Sequence, residues 1–153
     1  MAYTEVWDFV KPQFTKEENW GDDWLISKTL VWMLYCIRVD LCYPMVIHCG
    51  YETRPNGKGY HPLGQAVDFH FINDNDIVQD YMRIDHYLKR KGWDKLVGLG
   101  VYPDWNSPGF HLDVRGTKAR WGRVGGKYVS IKEALEWWDK ENAKHKKGIV
   151  EDR

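Results

Sequence analysis

The sequence predicts one α+β domain, and three observations carry that prediction. Apolar residues recur at helical spacing over three long segments, and several short segments alternate apolar with polar. In chain order, helices stand around those short strands. The 153 residues fit a single domain, 1–153, long enough to bury a core without disulfide staples. Hydrophobic residues at 43% and charged residues at 29% place the chain with globular proteins, far from the disordered regime.

From the N-terminus, "FTKEENW" carries Thr15 followed by Glu18, a capping-box spacing that predicts a short helical turn. "GDDWLISKTLVWMLYCIRVDLC" predicts the main helix. Trp24, Leu25, Val31, Trp32, Leu34, Tyr35 and Ile37 form its wide apolar stripe, and Asp22 and Asp23 suit its first turn. "YPMVIHCGYE" reads as a short strand after Pro44, and "TRPNGKGYHPLG" as a loop dense in Gly, Pro and Asn. "QAVDFHF" alternates and predicts a strand. "NDNDIVQDYMRIDHYLKRKGW" predicts a helix with an acidic start and a basic end, stopped by Gly92. "LVGLGVYP" and "GFHLDVRG" predict two strands joined by "DWNSPG" into a hairpin. "SIKEALEWWDKENAKHKK" predicts a final helix with Ser130 as N-cap and Glu133 three residues on.

Composition also bounds function. The 22 basic and 22 acidic side chains cancel, so no global field draws the chain to nucleic acid or to an anionic membrane. The basic stretch "KENAKHKKG" reads as a solvated helix end. Cys36, Cys42 and Cys49 are an odd number with no CxxC pair, which argues against a disulfide framework and against a cysteine-based zinc site. The N-terminus lacks the basic and apolar regions of a secretory signal, and the longest apolar run, "TLVWMLYCI", is too short to span a bilayer. The expectation is a monomer made in the cytoplasm without a signal peptide. Nine Trp fill a core or line a groove for an extended polymer.

The chemistry-bearing residues gather in two of the predicted strands. His61 and Asp68 are seven apart across a turn that contains Gly64, a separation at which both can reach one ion. Catalytic zinc commonly takes three protein ligands and leaves a position for water, so a third is needed. "GFHLDVR" offers one. His111 and Asp113 project from one strand face, while Leu112 and Val114 project from the other. Asp68 and His70 repeat that pattern, with Val67 and Phe69 opposite. Alternation alone also describes a solvent-exposed strand. His and Asp at the polar positions, in place of Thr, Lys or Ser, point toward a site.

These same stretches carry a family resemblance. "GYETRPNGKGYHPLGQAVDFHF" followed by "GLGVYPDWNSPGFHLDVRGTKARW" resembles the M15 peptidases, the zinc D-Ala-D-Ala carboxypeptidase-like enzymes that cleave peptidoglycan. There a "GYR(S/T)P" turn precedes a histidine, then a glycine and "A-x-D", and a later "G(F/V)xH(L/V/I)D" closes the site. The resemblance spans residues 14–122. It implies a hedgehog/D-Ala-D-Ala peptidase-like fold, with a small, mainly antiparallel sheet lining a zinc cleft and helices flanking it. It implies Zn2+ held by His61, Asp68 and His111, with an activated water in the fourth position. The reaction implied is hydrolysis of a peptide bond in peptidoglycan stem peptides or cross-links, so the expected partner is a peptidoglycan peptide.

The match departs from the family at the general base. Several relatives place an acidic residue three before the last zinc histidine, where this chain has Pro108. Asp113 is the preferred substitute, and its other reading is a partner that orients His111 or a cap for the turn at Gly116. Asp104 is the reserve. Arg54 lies where relatives carry an arginine that meets a substrate carboxylate, although "GYR" has become "GYETR". Its plain reading is a surface arginine. His48 and His70 read as hydrogen-bonded supporting residues, His86 and His145 as solvated ones. Tyr102, Trp105 and Trp121 line a groove or fill the core. The alternative function is a non-catalytic, zinc-containing module that binds cell-wall peptide. An endolysin-like protein, reaching the wall by phage-type release, would fit the missing signal.

Overall fold

Ser27 decides where the first long helix begins. In the computed structural model, which describes residues 5–151 and their side chains over 6–144, the Ser27 hydroxyl accepts a hydrogen bond from Leu30 N at 3.2 Å. Helix α2 therefore runs Lys28–Leu41, starting later than the acidic pair at Asp22 and Asp23 suggests. Asp22 instead accepts from Trp24 N at 2.9 Å and closes a separate turn. Trp24 and Leu25 consequently fall outside the apolar stripe, at 61% and 50% exposed. Upstream, Glu18 accepts from Thr15 N at 2.6 Å, which is half of the capping box, and it closes a turn without starting a helix.

The other helices follow their caps. Helix α1 (Glu5–Val10) is one short element that the sequence pattern did not reveal. Helix α3 (Ile77–Lys91) opens on a complete capping box between Asp76 and Gln79 and stops at Gly92, whose φ of +76° suits glycine. Ser130 accepts from Glu133 N at 3.1 Å and opens α4 (Ile131–Glu151). His145 lies outside the residues whose side chains are described.

Six strands make one sheet: β1 (Met45–Cys49), β2 (Ala66–Phe71), β3 (Gly98–Tyr102), β4 (Gly109–Asp113), β5 (Ala119–Val124) and β6 (Lys127–Val129). Their order is β1-β2-β4-β3-β5-β6, with β3 and β5 parallel and every other neighbour antiparallel. The fold is thus α+β, mostly antiparallel, as the sequence predicts. The β3–β4 hairpin forms as expected. The β5–β6 hairpin was not expected, although its Gly125-Gly126 turn, with φ of +59° and +76°, is a known hairpin signal.

Alternation gives the sheet two unlike faces. Ile47, Val67, Phe69, Leu99, Val101, Phe110 and Leu112 join one core cluster with Leu30, Leu34 and Ile37 of α2 and Ile84 and Leu88 of α3. The opposite face carries His48, Asp68, His70, His111 and Asp113. Among the described residues, no helix is long and apolar enough to cross a membrane.

Candidate metal centre

Three elements bring the centre together, starting with strands β2 and β4. Their register sets Asp68 directly across from His111 and Ala66 across from Asp113. Just before β2, a short 3-10 turn over His61–Leu63 swings His61 back over the strand, with Gly64 in the left-handed conformation behind it. His61 is 2% exposed and His111 7%.

Asp68 faces both histidines. One carboxylate oxygen lies 3.3 Å from His61 Nε2 and the other 3.1 Å from His111 Nδ1. Zinc with tetrahedral bonds of about 2.0–2.1 Å keeps neighbouring N and O donors about 3.3–3.4 Å apart; each separation is close to that value, and the two run to different oxygens of Asp68. His61 Nδ1 donates to the Gly50 carbonyl at 2.7 Å, which turns Nε2 toward Asp68. Burial disfavours a charged His61, yet hydrogen bonds with Asp68 and Cys49 outweigh it and lift the pKa to about 10. Burial likewise opposes ionised Asp68, but bonds from His111 and His61 hold it at about 2. Without metal, protons on imidazole occupy the place a cation would take.

Cys49 also reaches the centre. Cys49, His61 and Asp68 place one donor atom each within 4.8 Å of one another, a set that could hold a metal ion. Its sulfur stands 3.9 Å from His61 Nδ1 and 3.8 Å from Glu52 Oε2. Strict alternation would send Cys49 to the core beside Ile47. A bulge between those two residues sets Cys49 opposite Asp68 instead. The expectation against a cysteine-based zinc site rested on the odd count and the missing CxxC spacing, which cannot register such a bulge.

Asp113 occupies the other side of His111. It is completely buried, and Oδ2 accepts from His111 Nε2 at 2.7 Å. Arg115 grips it with Nε and Nη2, both at 2.8 Å, and Gly98 N adds a contact at 3.2 Å. Burial works against its charge, but Arg115 and then His111 drive its pKa well below the ordinary carboxylate range. Such a carboxylate is a poor proton acceptor. Of the two roles open to Asp113, these contacts favour orienting His111.

Two glycines make room for this arrangement. A Cβ on Gly98 would come within 2.7 Å of both Asp113 oxygens and of Arg115 Nε. A Cβ on Gly100 would meet the Trp121 ring at 2.7 Å, and that ring centre lies 5.0 Å from the His111 ring centre. Strand β4 is buried along its whole length, so its polar face is not that of a solvent-exposed strand. Arg115 and the alternate glycines of "GLG" were the unread signals.

The remaining expected residues scatter around the mouth. Asp104 Oδ2 accepts from Gly125 N at 2.8 Å and ties down the β5–β6 turn. Arg54 is a half-exposed loop residue whose Nη2 lies 3.4 Å from Glu52 Oε2. Trp105 stacks on Tyr102 with ring centres 4.5 Å apart, and Tyr102 is buried. An open pocket beside the centre is lined by His48, Asp68, Trp105, Asn106 and Ser107. His48 and His70 face one another across β1 and β2. Comparison with known proteins adds no relative: no family model, no curated protein and no solved structure matches this chain.

Proposed function

We propose that the chain is a zinc-dependent peptidase of the M15 kind, hydrolysing a peptide bond in peptidoglycan stem peptides or cross-links. The observation that carries this reading is Asp68, shared between His61 Nε2 and His111 Nδ1 beside an open pocket. In this reading His61, Asp68 and His111 hold Zn2+, which when bound polarises a carbonyl and lowers the pKa of water. The quoted motifs support the family assignment, and the donor separations support the metal.

The chain's own residues then divide the work. Gly50 and Asp113 each take one ring N–H, fixing the tautomers that aim His61 Nε2 and His111 Nδ1 at Asp68. Trp121 covers His111 and keeps water from its far side. With Asp113 engaged by Arg115, the exposed carboxylate at the rim is Glu52, and its Oε2 is the atom we assign to hold the transferred proton. Arg54 beside it would pair with a substrate carboxylate.

The non-catalytic module remains a second reading, favoured by one observation: Asp113 and Asp104, the two carboxylates expected as base, are both engaged elsewhere. Incubation with purified peptidoglycan, followed by mass spectrometry of the fragments, separates the two. Cleavage abolished by chelator and restored by Zn2+ supports the peptidase. Binding to stem peptide with no fragments, using metal-replete protein, overturns it.

A further inference from the structure

We propose that His48 and His70 form a second metal-binding pair, taking a first-row transition-metal dication such as Zn2+, Ni2+ or Cu2+. This inference does not depend on the peptidase reading. In the β1–β2 ladder Val46 pairs with His70 and Ile47 with Phe69, and the bulge after Ile47 leaves His48 leaning toward His70. His48 Nε2 meets His70 Nδ1 head-on, with the ring centres 4.6 Å apart and the planes at 48°. Two neutral imidazoles so placed share one hydrogen bond, the N–H of one ring meeting the lone pair of the other. A dication that takes both nitrogens moves that proton to the donor ring's other nitrogen and parts the exposed rings enough for both lone pairs to face the ion.

The surroundings suit an exchangeable site. His48 is exposed and His70 half-buried, so ions reach them from solvent. Trp105 stands 5.7 Å from His48, ring centre to ring centre, and limits how far the imidazole can swing. Asn106 and Ser107 line the pocket on the His48 side, and Ser107 also lines the adjoining pocket on the His70 side. Asp68 is taken up by His61 and His111, so water or the donors of an incoming ligand would complete the shell. Imidazole favours Zn2+, Ni2+ and Cu2+ over Mg2+ or Ca2+, which prefer oxygen.

Equilibrium dialysis of the full chain against graded free Zn2+, with metal per chain read by elemental analysis, tests the pair. The His48→Ala/His70→Ala double variant should bind one ion fewer than the unaltered chain, with an unchanged far-ultraviolet circular dichroism spectrum. The His61→Ala variant should keep the ion held by the pair, which separates this site from the buried one. Nuclear magnetic resonance on the unaltered protein gives an independent reading, in which His48 Nε2 and His70 Nδ1 shift together as metal is added. Equal metal content in the double variant and the unaltered chain, or ring nitrogens that do not move, would overturn the proposal.

Discussion

The β2–β4 strand pair and the β1 edge meet at Asp68, yet they are built by opposite rules. On the β4 side every donor is buried and braced: His111 by Asp113, Asp113 by Arg115, and both by the space that Gly98 and Gly100 leave. On the β1 side His48, Glu52 and Arg54 are largely exposed, their partners are other surface side chains, and a bulge interrupts the ladder. The contrast assigns rigidity to the groups that would hold an ion and freedom to those that would meet a substrate. Preorganised donors on strands and adaptable groups on loops are the usual division in binding sites.

Breaking the shared member should do the most. Asp68→Ala removes the carboxylate that faces both histidines, and the tightest zinc equivalent should vanish from isothermal titrations. Next in size, Asp113→Ala leaves the Arg115 guanidinium without its buried partner. Urea unfolding should show a loss of about 3–5 kcal/mol, and zinc affinity should fall about 10- to 100-fold as His111 loses its brace. Gly98→Ala forces a methyl group onto Asp113 and Arg115 and should cost about 1–3 kcal/mol in the same assay.

Acidity gives a graded test of the rigid side. His61 in the metal-free chain keeps its proton up to about pH 10, whereas Asp68, at about 2, is already ionised. In the proposed ligand set, zinc therefore displaces one proton from His61. Apparent affinity should rise about tenfold for each pH unit between roughly pH 7 and 9 and level off above the His61 pKa. Affinity independent of pH over that range would mean that His61 is not a ligand. The smallest effect belongs to the β1 side: Cys49→Ser should change zinc affinity by no more than about threefold. A sulfur-to-metal charge-transfer band in the cobalt-substituted protein, lost on that substitution, would instead move Cys49 into the ligand set.

The sequence disclosed the rigid half better than the exposed one, for physical reasons. Strands of strict period place their side chains by parity, so the spacing of Val67, Asp68, Phe69 and His111 is enough to assign each to a face. A bulge breaks parity without leaving a residue signature, which hid Cys49. Hydrogen-bond partners across strands are also invisible to spacing, and Asp113 next to His111 could equally have faced open water. The main helix starts later than the acidic pair suggested: Asp22 accepts from Trp24 N in a separate turn, and Ser27, unremarked in the sequence, caps the helix through Leu30 N. The Pro108 departure was legible, but the carboxylate at Glu52, proposed as its replacement, was not, because its approach to Cys49 depends on how the loop folds back.

Arg115 does more than grip Asp113. Its guanidinium is stacked between Tyr60, immediately before His61, and Trp121 on β5, at 4.5 and 5.0 Å from the two ring centres. A ribosome that has released residues only as far as Asp113 has delivered His61, Asp68 and His111, yet not the cation and the indole that clamp the first histidine's turn to the last histidine's strand. Metal capture during synthesis should therefore wait for Trp121. A fragment ending before β5 should hold zinc far more loosely than the three proposed ligands alone would suggest.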